Sequence, residues 1–179
     1  MVSIGGRIIP VVFACLPLIN DEIGPRVPSS YAMSGISVLI VDAFDPWRRV
    51  VADLLAQADD VYTTSFASDG PEAVRKAAEL RPDVILMDVD LPTLNGTQAA
   101  RHIRRTVPES KIVFLSSLSA PEVVGSALRA GGRGYVLKAD AQEVLRGIEA
   151  VLLGRYFLST SVSGIDSRQH MANATRDEL

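Results

Sequence analysis

From residue 36 onward, short apolar runs alternate with segments whose apolar positions recur at helical spacing. The runs ISVLIV (36–41), VYTTSFA (61–67), VILM (84–87), KIVFL (111–115) and GYVL (134–137) read as strands. Five helical patterns follow them. In the first, Asp45 is the expected cap and Pro46 the first position, with Val50, Val51, Leu54 and Leu55 on one face. The second carries Ala73, Ala77 and Leu80 between Pro71 and a stop at Pro82, and the third Ala99, Ala100 and Ile103. The fourth runs from Pro121 to Ala130 and closes on Gly131 and Gly132. The last opens at Asp140 with Glu143 three residues on, a capping-box arrangement, and ends at Gly154.

Strands and helices that alternate in this way imply a parallel sheet covered on both faces. Right-handed crossovers restrict it to a doubly wound α/β fold of the (βα)5, flavodoxin-like type, with strand order 2-1-3-4-5. In such a sheet the site lies beyond the carboxyl ends of the strands. Those ends hold the reactive residues: Asp42 follows strand one, Asp88 strand three, and Ser116 and Lys138 strands four and five. Asp90 stands two residues beyond Asp88. A buried strand has no reason to end on acids unless that end meets positive charge. Carboxylates from two neighbouring strands can share a hard divalent cation such as Mg²⁺. One of them, held beside it, can attack phosphorus and form an acyl phosphate. A lysine then balances the phosphoryl charge, and a serine hydroxyl bonds one phosphoryl oxygen.

Composition narrows the function further. A net charge of −3 and a pI near 5.4 argue against nucleic-acid binding by this chain alone. A single cysteine, Cys15, forms no internal disulfide and points to a reducing, cytoplasmic setting. No apolar run reaches the roughly 18 residues of a membrane span. Residues 1–34 read as a disordered leader, or as an over-extended start upstream of Met33. Residues 35–155 form the expected domain, and 156–179, rich in Ser, Thr, Asn and Asp, read as a disordered tail.

The stretches VLIVDAFDPWRR, LMDVDLPTLNG, VFLSS and GGRGYVLKAD, in this order and at this spacing, resemble the receiver domain of two-component response regulators over residues 36–153. GYVLKAD, with GRYFLS after the last helix, is most similar to the LuxR/NarL-type subgroup; no complete DNA-binding domain is expected in the tail. The resemblance implies Asp88 as phospho-acceptor, Lys138 and Ser116 as its pocket partners, and Tyr135 as a switch aromatic. It implies Mg²⁺ held by Asp42, Asp88 and the backbone carbonyl of Asp90, whose side chain adds an oxygen if it turns inward. One position departs from the family. Receivers place a second acid directly after the first, on the metal, and here the pair is Asp42-Ala43. Ala43 therefore lowers the expected Mg²⁺ affinity, and Asp45 reads as a helix cap rather than a substitute ligand.

The expectation is a phosphorelay switch, not a turnover enzyme. A sensor histidine kinase is its donor, and a homodimer is a further expected assembly. The rival reading is a phosphorylation-independent dimerisation or docking module with a degraded metal pocket, and Ala43 is its support.

Overall fold

A computed structural model of the chain describes residues 35–163. The leader expected over 1–34 and the tail beyond 163 lie outside the described residues. The elements are β1 (Ile36–Val41), α1 (Asp45–Leu55), β2 (Val61–Ala67), α2 (Gly70–Leu80), β3 (Val84–Met87), α3 (Gly96–Thr106), β4 (Lys111–Ser116), α4 (Pro121–Arg129), β5 (Gly132–Leu137), a 3-10 turn (Lys138–Glu143), α5 (Val144–Leu152), β6 (Phe157–Leu158) and α6 (Thr160–Ser163). All strands run parallel in one sheet ordered β2-β1-β3-β4-β5-β6. The expected order is present, with a sixth strand added outside β5.

Alternate residues of each strand divide between two cores, as the two-residue repeat of a pleated strand requires. Leu39, Val41, Ile85, Met87, Ile112, Phe114 and Tyr135 pack with α2, α3 and α4. Val38, Ile40, Val84, Leu86, Val113, Leu115 and Val136 pack with α1 and α5. Each fully buried aliphatic or aromatic side chain contributes about 1.5–3 kcal/mol. The central strands are therefore a rigid rack, and side chains at their ends inherit its spacing.

Five local expectations are corrected. The N-cap of α1 is Phe44, not Asp45; the Phe44 amide donates to Asp42 Oδ1 at 2.8 Å. Asp45 is the first helical residue and pairs with Arg48 and Arg49 at 2.7 and 2.9 Å. An acid in the first turn still gains from the helix dipole and from basic partners three and four residues on. The apolar stripes are narrower than their spacing suggests: Val50 and Leu80 are exposed, while Val51, Leu55, Ala73 and Ala77 are buried. Gly132 belongs to β5 rather than to the end of α4.

The last two corrections belong together. Asp140 and Glu143 form no capping box: α5 starts at Val144, and Glu143 makes no side-chain cap bond. Both carboxylates reach forward along the chain instead. The Thr160 amide donates to Glu143 Oε1 at 3.1 Å, and the Ser161 amide and hydroxyl donate to Asp140 at 3.1 and 2.8 Å. The disordered tail expected from residue 156 is, up to Ser163, a strand and a helical turn. Phe157 and Leu158 pair with Gly134 and Tyr135. The Ser159 amide donates to the Tyr135 carbonyl at 2.9 Å, the Leu137 amide donates to Ser159 Oγ at 3.1 Å, and Val162 is fully buried.

The start of α2 carries a pH dependence. Asp69 caps the helix by accepting from the Glu72 amide at 2.7 Å. Glu72 in turn accepts from Lys76 and from the amide and hydroxyl of Ser68. The Lys76 bond, followed by the Ser68 amide, lowers its pKa to about 2 against opposing burial. A carboxyl whose folded pKa is depressed stabilises the fold above its ordinary value, 4.5 here, and that stability fades as pH falls toward 2. Glu72→Gln is expected to cost about 1 kcal/mol or less at neutral pH, since the pair is partly screened. Thermal unfolding of both proteins across pH 2–7 checks this; the gap between them should close toward the acid end.

Candidate functional site

Parallel strands bring their carboxyl ends to one edge, and β1 and β3 are neighbours there. Asp42 and Asp88 follow these strands with side chains only 5% and 10% exposed. Two buried carboxylates at such proximity need a counter-charge, and Lys138 supplies it from just after β5. Its Nζ lies 2.6 Å from Asp42 Oδ2 and 2.7 Å from Asp88 Oδ2. Burial pulls the ammonium pKa down, but the bonds to Asp42 and Asp88 outweigh it and hold the group above its ordinary value. The Trp47 ring lies 5.6 Å from Nζ, and adds a cation–π contact to the ion pairs.

The second oxygen of each acid meets backbone. Asp42 Oδ1 accepts from the Phe44 amide, and Asp88 Oδ1 accepts a longer, 3.3 Å bond from the Asp90 amide. Asp88 itself is held from both sides. Its amide donates to the Val41 carbonyl at 2.9 Å, and the start of α3 presses on its carbonyl. A Cβ on Gly96 would overlap that carbonyl oxygen, so α3 approaches this closely only because position 96 is glycine. Asn95 and Gln98 then anchor the helix start with a capping box.

Ser116 ends β4 almost fully buried, and its Oγ accepts from the Leu118 amide at 3.3 Å. The Tyr135 hydroxyl donates to the Leu118 carbonyl at 2.6 Å. Burial raises the Tyr135 pKa, a bond with Ser116 opposes this, and the Asp88 charge raises it further. Leu118 is thus held by two residues the sequence analysis singled out separately. Asp42, Asp88, Asp90, Ser116 and Lys138 line one cavity of about 240 Å³, together with Ala43, Phe44 and Leu118. Tyr135 stands behind this wall, and Asp45 is not part of it. Sequence reasoning missed Phe44, the contact of the Trp47 ring with Lys138, and Leu118. Their contributions are an amide, a ring face and a main-chain anchor, none of which has a residue-type signature.

Acids, a lysine and a hydroxyl at the ends of four parallel strands suit phosphoryl chemistry, and the family comparison agrees. The response regulator receiver domain profile matches residues 38–149. The chain belongs to the response regulator receiver domain family. It is 34% identical over 129 residues to the response regulator GacA of Pseudomonas viridiflava, covering 72% of this chain and 60% of that protein. It is 36% identical over 130 residues to the transcriptional regulatory protein LiaR of Bacillus subtilis, covering 72% and 62%. Among solved structures it resembles a LuxR-family two-component response regulator from Aurantimonas sp. SI85-9A1. That match has 29% identity and a TM-score of 0.72, and covers 77% of this chain and 99% of the other. The receiver thus spans about three-fifths of the length of these curated relatives.

Receiver domains typically bind Mg²⁺ at this acidic end. Among the described residues no three acids, histidines or cysteines form a metal cage. Mg²⁺ does not require one, since it keeps several waters and commonly takes only one or two carboxylates. Asp42 and Asp88, with Asp90 on the same cavity, fit that reduced demand, and the cavity is roomy enough for water. Ala43, at the cavity wall, adds no oxygen. No helix among the described residues is long and apolar enough to cross a membrane.

Proposed function

We propose that this receiver accepts a phosphoryl group on Asp88 from the phosphohistidine of a sensor histidine kinase. The observation that carries this is the Lys138 ammonium bonded to both buried acids at the cavity, with Asp88 Oδ1 holding one long hydrogen bond. Oδ1 attacks phosphorus in line, the phosphorus–nitrogen bond breaks, and the imidazole leaves with the bonding pair. Catalysis of such a loose transfer is mostly positioning and charge neutralisation. Lys138 would offer the phosphoryl group a positive charge, and Ser116, on the same cavity, would donate its hydroxyl to one of the phosphoryl oxygens. Mg²⁺ held by Asp42, Asp88 and the Asp90 carbonyl would neutralise further phosphoryl charge.

The phosphorylated Asp88 would draw Ser116 and Lys138 toward it. Ser116 and Tyr135 both hold Leu118, so this pull biases the β4–α4 loop and the buried Tyr135. The reading makes the chain a cytoplasmic switch with a kinase and a second copy of itself as partners. Its acidic balance offers duplex DNA no basic stripe. Only Ala43 favours the phosphorylation-independent alternative, and the intact ion-pair triad speaks against it. The test is incubation with a small phosphodonor and Mg²⁺, followed by intact-protein mass. A gain of one hydroxylamine-labile phosphoryl group supports the proposal; no gain at saturating donor and Mg²⁺ overturns it.

A further inference from the structure

We propose that residues 156–163 are a releasable strap whose hold on β5 is set by the occupancy of the acid pocket, so that the strap is the receiver's output element. The physical link is the short 3-10 turn Lys138–Glu143. Its first residue bridges Asp42 and Asp88. Two of its next five residues, Asp140 and Glu143, grip the strap through Thr160 and Ser161. One turn therefore has its start in the pocket and its remainder on the strap. Whatever moves Lys138 moves the acids that hold residues 160 and 161.

The strap's other attachments lie on the strand that leads into this turn. Ser159 is fully buried and bonds both the Tyr135 carbonyl and the Leu137 amide, the residue next to Lys138. Arg133 reaches Tyr156, with its guanidinium 5.0 Å from the ring centre and a 2.9 Å bond to the hydroxyl. Phe157 lies against Gly147 of α5, and Val162 enters the core on the opposite face of the sheet.

The grip is built to be reversible. Asp140 and Glu143 are each 8% exposed and hold the strap through main-chain amides and one hydroxyl. Water can replace those donors once the strap lifts, and the two carboxylates regain full hydration as it leaves. The apolar hold is partial: Tyr156 and Leu158 pack on one core and Phe157 on the other while only partly buried, and of the strap's apolar side chains Val162 alone is fully buried. The two-residue strand β6 is far shorter than its neighbours. The segment that leads the chain out of the receiver is thus tied to the same turn as the phospho-acceptor's counter-ion.

That phosphorylation drives the release rests on the proposed function above, but the coupling of pocket to strap can be read without it. The measurement is hydrogen exchange at the Leu137 and Ser159 amides, with amides of β1 and β3 as the folding control. Asp140→Ala combined with Glu143→Gln removes the grip and is expected to speed exchange at both strap sites by on the order of tenfold or more. Lys138→Met cuts the turn from the pocket and is expected to speed the same two amides with no donor present. Wild-type protein whose Asp88 is labelled, by mass, is expected to show the same loosening.

Unchanged strap protection in Lys138→Met, with the control amides unchanged, overturns the coupling whatever the donor does. Unchanged protection in labelled wild type overturns it as well. If Asp88 takes no label, the phosphotransfer reading is the one that fails, and the Lys138→Met arm still decides the strap.

Discussion

Asp88→Asn is expected to abolish phosphodonor labelling, while Asp90→Asn keeps it. Both acids lie after β3 and both line the cavity, so proximity alone does not choose between them. Burial and partners do. Asp88 is 7% exposed and bonded to Lys138, whereas Asp90 is exposed and makes no bond to the lysine. An amide at position 88 keeps the shape but has no anionic oxygen to attack phosphorus, so the loss should be total rather than partial. It also leaves Lys138 with Asp42 as its single carboxylate partner, and a modest drop in stability is expected alongside. Intact mass after donor treatment of the two variants decides the matter. Label retained in Asp88→Asn and lost in Asp90→Asn would move the acceptor to position 90.

The second large effect comes from restoring an acid. Ala43→Asp is expected to tighten Mg²⁺ binding and to speed labelling of Asp88 at limiting Mg²⁺. Hard cations gain affinity with each added carboxylate, and the cavity wall at Ala43 is where a third one would stand. Loss of even a supporting group at a metal site costs about 10–100-fold in affinity or activity. A direct oxygen should be worth at least as much, roughly 1.4–2.7 kcal/mol by the same conversion. Trp47 reports the binding conveniently. Its ring faces the Lys138 ammonium, so a cation arriving between the same acids alters its fluorescence. Wild type and variant are titrated side by side with a labelling time course. Equal affinity and equal rates would mean that the wild-type donors already suffice.

Much of this was legible because buried strands leave a plain sequence signal. Val84 to Met87 is apolar throughout, and Asp88 breaks the run where the strand stops. Lys138 was legible from the same logic, as a charge placed directly after an apolar strand. The missed features share a cause, which is that a side chain's nearest use in sequence lost to a distant or main-chain one. Asp140 and Glu143 carry capping-box spacing, but the Thr160 and Ser161 amides, some twenty residues on, claim them. Asp45 has the right chemistry for a cap, yet the Trp47 and Arg48 amides that it would serve bond the Phe44 carbonyl, and its carboxylate pairs with Arg48 and Arg49 instead. Strand β6 covers only two residues, too few for any alternation to register.

The sixth strand also bears on where this domain ends in practice. The family match stops at residue 149, and the natural place to trim the chain is Gly154, at the turn after α5. A receiver shortened there would keep every pocket residue. It would also bare the Tyr135 carbonyl, the Leu137 amide and the β5 edge at Gly134 and Tyr135 that β6 pairs. Uncovered edges of that kind recruit strands from other molecules. Such a fragment would carry the full phosphoryl chemistry and yet cluster at working concentrations. Oligomers formed by the shortened protein would then report a missing lid rather than a natural partnership.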